Sequence, residues 1–150
     1  MGRGTGLVLL VAFGAMALPG AAAWEELRRN DSQRLAIDPA SIRKRGDEVS
    51  FKYLVDFRQK QGDFKTVEYR SLTVRAAIRC KPKTIALRET EVYVGPEAKG
   101  AAAGIMKPTP ADSRFKKIEE GTSDQELYTR VCAPPKPADN PAAKPEAPKK

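Results

Sequence analysis

The chain has 150 residues, with 27 lysines and arginines against 19 aspartates and glutamates and no histidine. The formal net charge of +8 favours an anionic partner, and the lack of histidine removes the commonest general base and metal ligand. The sequence also has no glycine-rich phosphate loop and no nucleophile elbow, so we expect no enzyme, no metal site and no cofactor.

The N-terminal segment indicates export. One basic residue, Arg3, precedes the uncharged apolar run "LVLLVAFGAMAL" (7–18), and a Pro-Gly pair ends the run. Three alanines then favour cleavage between Ala23 and Trp24, as in a secretory signal peptide. The run is well short of the roughly 20 residues that span a bilayer, which argues against the alternative of an uncleaved anchor. We predict a signal peptide over 1–23 and no transmembrane segment after processing.

The C-terminal segment has the composition of a disordered tail. Residues 133–150 are mostly proline, alanine and lysine and include no large apolar side chain. Such a segment cannot bury enough surface to offset its ordering entropy. We therefore predict one folded domain over 24–132. Export argues against nucleic acid as the partner of the basic surface.

Alternating apolar and polar residues predict that most of the domain is β-strand. A short edge strand after Trp24 precedes "RLAIDPASI" (34–42), in which Asp-Pro predicts a turn. The clearest strand is "EVSFKYLVDFR" (48–58), and "QKQGD" (59–63) is expected to turn the chain into "FKTVEYR" (64–70). These two strands should pair antiparallel.

The next strand has an apolar and a basic side. "SLTVRAAIRC" (71–80) places apolar residues and Cys80 on one side and Arg75 and Arg79 on the other. Its apolar positions have the opposite parity to those of the preceding strand. Because the side-chain period of a strand is two, this change predicts a bulge or break near Arg70-Ser71.

The end of the domain predicts a strand, a loop and a helix. A turn at 81–83 leads into the strand "TIALRETEVYV" (84–94), and 97–114 is expected to be a loop that contains a short strand. "GTSDQELYTRVC" (121–132) predicts a short helix with an S-x-x-E capping box that begins at Ser123. The predicted class is α+β: an antiparallel sheet of about five to six strands, packed by a short C-terminal α-helix and closed by one disulfide.

The two cysteines, Cys80 and Cys132, allow only one intramolecular pairing. Exported proteins meet oxidising conditions, which favour a disulfide. The alternative is a pair of free redox thiols, but the chain has no C-x-x-C motif. We predict a Cys80–Cys132 disulfide that joins the end of the helix to the end of a strand.

Basic residues on an expected hairpin tip and on the basic strand side could bind an anion. The candidates are Arg43, Lys44, Arg45, Arg75, Arg79 and Lys81. The alternative for each of them is an ordinary solvated side chain. In an exported protein the expected partners are an anionic envelope polymer or a host matrix protein. A homodimer stays an open alternative to a monomer.

The order and spacing of these pieces resemble the surface-adhesin protein E-like family of small exported Gram-negative proteins. The positions that carry the resemblance are Trp24, Asp38, Ser41, Ile42, Tyr69, Arg70, Ser71, Cys80, Tyr93, Gly95, Pro96 and Cys132. The resemblance covers about 24–132 and implies an antiparallel sheet backed by a C-terminal helix, with the cysteines bridged. One departure is "FKKI" at 115–118, where the family often has a tryptophan. A family of cryptic neisserial proteins shows a more distant resemblance.

The resemblance implies an exported, non-catalytic and adhesin-like binding module of the cell envelope, in the periplasm or on the cell surface. It would recognise anionic or host matrix partners through the basic side of the sheet. The alternative is a structural periplasmic protein whose Pro/Lys-rich tail (133–150) contacts envelope polymers.

Overall fold

The computed structural model describes residues 23–133, which form one antiparallel sheet of seven strands and one α-helix. The elements are β1 (Glu25–Arg29), β2 (Gln33–Arg45), β3 (Glu48–Phe64), β4 (Val67–Arg79), β5 (Thr84–Tyr93), a 3₁₀ turn (Pro96–Ala98), β6 (Ala102–Met106), β7 (Lys116–Lys117) and α1 (Ser123–Cys132). The predicted signal peptide (1–23) and tail (133–150) lie outside the described residues, apart from Ala23 and Ala133.

The sheet follows the order of the chain. Strands β1 to β6 are successive antiparallel neighbours. Strand β6 pairs with the last residues of β5, and β7 pairs with Thr84 and Ile85 at the beginning of β5, along the same edge. The predicted α+β class, the antiparallel sheet and the short C-terminal helix are confirmed. The edge strand after Trp24 and the short strand within 97–114 are confirmed as β1 and β6.

The core lies between the sheet and α1. Residues directly opposite each other in an antiparallel ladder project to the same side, so Phe51 and Tyr53 of β3 share a side with Val74 and Ala76 of β4. All four belong to one buried cluster, and Leu127 of α1 completes it with no exposed surface. Burial of such a leucine side chain contributes roughly 1.5–3 kcal/mol. We call this the helix side of the sheet and the opposite side the open face.

The helix begins at its cap and ends at the disulfide. Thr122 is the N-cap, because its backbone is extended and its side chain accepts a hydrogen bond from the Gln125 amide at 3.3 Å. The predicted cap at Ser123 is therefore wrong by one residue, since Ser123 is already helical and Thr122-x-x-Gln125 supplies the same signature. At the other end Cys132 is bonded to Cys80, with the Cα atoms 5.7 Å apart, which confirms the predicted disulfide.

The pairing of β3 with β4 contains the predicted break. Asp56 pairs with Ser71, but the next pair is Gln61 with Tyr69, so residues 57–60 of β3 lie opposite Arg70 alone. The break near Arg70-Ser71 is confirmed, and the extra residues belong to β3.

The predicted turn at 59–63 is wrong. Strand β3 resumes its pairing after the break and continues to Phe64, and the chain reverses at Lys65-Thr66. Both turn residues have positive φ angles, 51° and 68°. Neither is a residue that favours this conformation, which is why the sequence did not indicate a turn there.

The Asp-Pro turn forms inside β2 instead of ending it. Asp38 pairs with Lys52 and Arg43 with Ser50, so residues 39–42 bulge out of the strand. The Ser41 hydroxyl donates to the Asp38 carbonyl oxygen at 2.6 Å and accepts from the Lys52 amide at 2.8 Å. Strand β2 can therefore resume its pairing with β3 after the bulge and continue to Arg45.

Candidate functional site

Strand pairing brings four of the six predicted basic residues to the open face. Arg43 and Arg45 of β2 pair with Ser50 and Glu48 of β3. Arg75 and Arg79 of β4 pair with Lys52 and Glu48. These β3 partners are all even-numbered and project to the open face, so the four arginines project there too. We call Arg43, Arg45, Arg75 and Arg79 the arginine surface. The two other candidates lie elsewhere: Lys44 pairs with Val49 on the helix side, and Lys81 lies in the turn after β4.

Carboxylates balance part of the arginine surface. Arg75 Nη1 lies 3.6 Å from Glu89 Oε1, and Arg79 Nε lies 3.6 Å from Glu48 Oε2. These arginine side chains are 66% and 49% exposed. Exposed ion pairs contribute about 0–1 kcal/mol, so the anionic group of a partner could replace either glutamate at little cost.

The remaining contacts of the arginine surface add no further carboxylate within the described residues. Arg43 Nη1 donates to the carbonyl oxygens of Ala40 and Ile42, at 2.7 and 2.9 Å, so the bulge in β2 orients this side chain. Arg45 has no carboxylate within 4 Å in the part of the chain that the structure describes. The guanidinium of Arg79 also stacks on the Phe115 ring, 3.9 Å from its centroid, which fixes the group at the surface.

A groove of about 490 Å³ with a mixed aromatic and charged lining occupies the other end of the open face. Two aromatic side chains, Trp24 and Tyr93, line it together with Lys52, and burial raises the pKa of the Tyr93 hydroxyl to about 12. The groove is also lined by Arg34, Glu97, Ala98 and Lys99.

The 3₁₀ turn forms one wall of this groove. The Ser71 hydroxyl donates to the Gly95 carbonyl oxygen at 2.6 Å and accepts from the Ala98 amide at 3.0 Å. The Glu97 amide donates to Asp56 Oδ1 at 3.2 Å. The family positions Ser71 and Gly95 therefore hold the turn in place.

Arg34 is the centre of an ion-pair network beneath the groove. It lies 3.1 Å from Glu26, 2.9 Å from Glu97 and 3.9 Å from Asp56, and its side chain is only 13% exposed. Hydrogen bonds from Lys99 and Arg34 hold the pKa of Glu97 below its ordinary value. This network fixes the 3₁₀ turn to β1 and β2. The sequence did not indicate it, because its members come from four separate segments.

Two kinds of functional feature are absent from the described residues. Over 23–133, no group of three or more histidine, cysteine, aspartate or glutamate side chains is arranged to hold a metal ion. Over the same residues, no helix has the length and apolar character needed to cross a membrane.

The fold and the charged open face define the class of the protein as a small α+β domain with an exposed basic surface. The sequence profile of the family described as Surface-adhesin protein E matches residues 24–133, so the chain belongs to that family. Membership supports an adhesin-like binding role at the cell surface in preference to a catalytic one. The resemblance seen in the sequence is confirmed.

Solved structures of protein E from Haemophilus influenzae show the same fold. One matches with a TM-score of 0.59 at 16% identity, covering 75% of this chain and 86% of the other. A second crystal form matches with a TM-score of 0.60 at 16% identity, covering 75% and 89%. Protein E from a non-typeable strain matches with a TM-score of 0.58 at 16% identity, covering 77% and 79%. No curated protein matches the chain by sequence.

Proposed function

We propose that the protein is an exported, non-catalytic adhesin-like module that binds an anionic envelope polymer or host matrix protein through the arginine surface. The mature chain would begin at Trp24 after removal of 1–23 and would consist of one domain (24–132) followed by the tail (133–150). The family profile, which begins at Trp24, supports this boundary.

The observation that carries the proposal is the convergence of four arginines on one side of adjacent strands. Only two carboxylates, those of Glu48 and Glu89, lie within 4 Å of them in the described chain. Guanidinium groups bind carboxylates and sulfates bidentately, and an exposed cluster of them also attracts an anionic polymer over a Debye length of about 8 Å at physiological salt.

Charge reversal on the open face tests the proposal, with heparin as the anionic probe. The variant R75E/R79E should bind heparin at least about tenfold more weakly than the wild type at 0.15 M salt, a difference of about 1.4 kcal/mol. The matched control is K60E/K65E, which makes the same change in net charge at two exposed lysines, Lys60 near the end of β3 and Lys65 in the turn that follows. The control should keep its affinity within about threefold, and both variants should keep the wild-type circular dichroism spectrum.

Two results would contradict the proposal. One is an equal loss of heparin affinity in the open-face variant and the control, which would mean that only net charge matters. The other is loss of affinity on deletion of 133–150 with no loss in the open-face variant, which would favour the structural tail-binding alternative.

Cell-surface location has its own test. Protease treatment of intact cells should cleave a surface-exposed protein, whereas a periplasmic marker should stay intact. Full protection of the protein under these conditions would place it behind the outer membrane and exclude adhesion to a host.

A further inference from the structure

Four arginines line a small pocket beside the break in β3. The pocket has a volume of about 130 Å³ and lies where β3 meets the turn between β1 and β2. The arginines are Arg29, Arg34, Arg58 and Arg70, and we call this site the arginine pocket. None of the four was a candidate site residue in the sequence analysis.

The break in β3 creates this pocket. Residues 57–60 have no direct partners on β4, and Arg70 is the one β4 residue opposite them. The Arg58 amide donates to the Ser32 carbonyl oxygen at 2.9 Å, which ties the extra residues to the β1–β2 turn. Arg58 and Arg70, which are twelve positions apart in the chain, therefore meet at one site.

Two of the four arginines are already neutralised. Arg29 Nη2 lies 2.6 Å from Glu26 Oε2, and Arg34 is bound by Glu26 and Glu97. These two arginines shape the pocket wall, and their charge is balanced by carboxylates of the protein itself.

The charges of Arg58 and Arg70 are not balanced by a carboxylate of the described residues. Neither lies within 4 Å of a carboxylate in the described part of the chain, although Asp56 lines the same pocket. The Nε and Nη2 atoms of Arg70 donate to the Phe57 carbonyl oxygen, at 3.3 and 3.2 Å, which fixes the guanidinium and leaves Nη1 free. The side chain of Arg58 makes no hydrogen bond or ion pair within the described residues and stays available for a ligand.

We propose that the arginine pocket binds one tetrahedral oxyanion, a phosphate or sulfate monoester, between Arg58 and Arg70. Two guanidinium groups that share a pocket repel each other, and an anion bound between them offsets this repulsion. The volume accommodates the oxyanion, with the rest of the ligand outside. A phosphate or sulfate ester offers three oxygens where a carboxylate offers two, so it can accept from both arginines at once.

The proposal goes beyond the binding role of the arginine surface, because the two sites share no residue. Arg75 is the member of the arginine surface nearest to the pocket, and from its partner Lys52 to Arg58 along β3 the separation is roughly 20 Å at about 3.3 Å per residue. Substitutions in one site therefore leave the other in place, and the two proposals can fail separately.

The test is a nuclear magnetic resonance titration of the mature full-length protein at constant ionic strength. Glucose 6-phosphate and glucose 6-sulfate are the probes, and glucose 6-phosphate is compared with sodium acetate as a carboxylate. We expect saturable shifts of the backbone amides of Ser32, Arg58 and Arg70, with a Kd of about 1 mM for the preferred ester. Preference for the phosphate ester would assign a phosphorylated envelope sugar, and preference for the sulfate ester a sulfated glycan.

The substitution R58Q should weaken binding of the preferred ester at least about fivefold. R70K, which keeps the charge but loses the planar fork, should also weaken it. The matched control is R114Q, which removes the same charge at an exposed position near the other end of the sheet and should stay within about twofold. The proposal is overturned if the pocket amides do not saturate, if acetate binds as tightly as the esters, or if R58Q and R114Q bind equally.

Discussion

Removal of the disulfide is expected to destabilise the domain strongly without changing its fold. The double substitution C80A/C132A deletes the bond between the end of β4 and the end of α1. The helix keeps its other contacts, since Leu127 is fully buried and Arg130 forms a bidentate pair with Glu25 at 2.7 and 2.9 Å. We therefore expect a folded domain of lower stability.

The size of the effect follows from the loop that the disulfide closes. The cysteines are 52 positions apart, and closing a loop of that length removes about 14 cal/mol/K of entropy from the unfolded chain. At 25 °C this corresponds to about 4 kcal/mol of stability, or a decrease in Tm of roughly 15–30 °C for a domain near 100 residues.

Urea unfolding followed by circular dichroism measures the loss. The midpoint should fall in the double variant, and reductant should bring the wild type to that midpoint while leaving the double variant unchanged. A loss below about 1 kcal/mol would refute the reasoning, because it would mean that the unfolded chain already keeps the two ends together.

Three further predictions concern packing, surface charge and backbone space. Leu127→Ala should destabilise the domain by about 2–5 kcal/mol in urea unfolding, because the leucine is fully buried; a loss below about 1 kcal/mol would show that α1 does not seal the core. A hydrogen bond from Arg130 lowers the pKa of Glu25, so the pair stabilises the domain above the ordinary carboxyl pKa and loses this effect as the pH falls through the lowered value. Arg130→Gln should remove about 0.5 kcal/mol at pH 7 and little at pH 2, and an equal loss at both would exclude the ion pair as the cause. Gly95→Ala should cost about 1–3 kcal/mol, because its Cβ would overlap a backbone carbonyl across the 3₁₀ turn, whereas the control Gly62→Ala meets no atom within 4 Å and should stay within about 1 kcal/mol of the wild type.

The strands could be predicted because their evidence is local. Phe51 and Tyr53 alternate with polar residues, and the structure buries them on the helix side as that pattern requires. The turn at 59–63 was misplaced for the same reason. A glycine between polar residues is a local turn signal, but the resumed pairing of Gln61 with Tyr69 stabilises a longer strand.

The arginine surface was predicted only in part. Alternation placed Arg75 and Arg79 on one side of β4, yet it could not show that Glu48 and Glu89 lie beside them. Arg43 reaches the same face because four residues, 39–42, lie opposite Phe51 alone, so after the bulge the odd-numbered residues of β2 project to the open face. Sequence reasoning had no means to count the residues in that bulge.

The sequence by itself determined the class of fold, the one disulfide that two cysteines allow and the position of the break before Ser71. Each of these depends on neighbours along the chain or on a choice with a single outcome. Only the tertiary structure decided that Arg58 and Arg70 share a pocket and that Arg34 joins three carboxylates. The physical reason is that side chains from distant segments meet according to strand register, and a shift of a few residues in one bulge changes every such meeting.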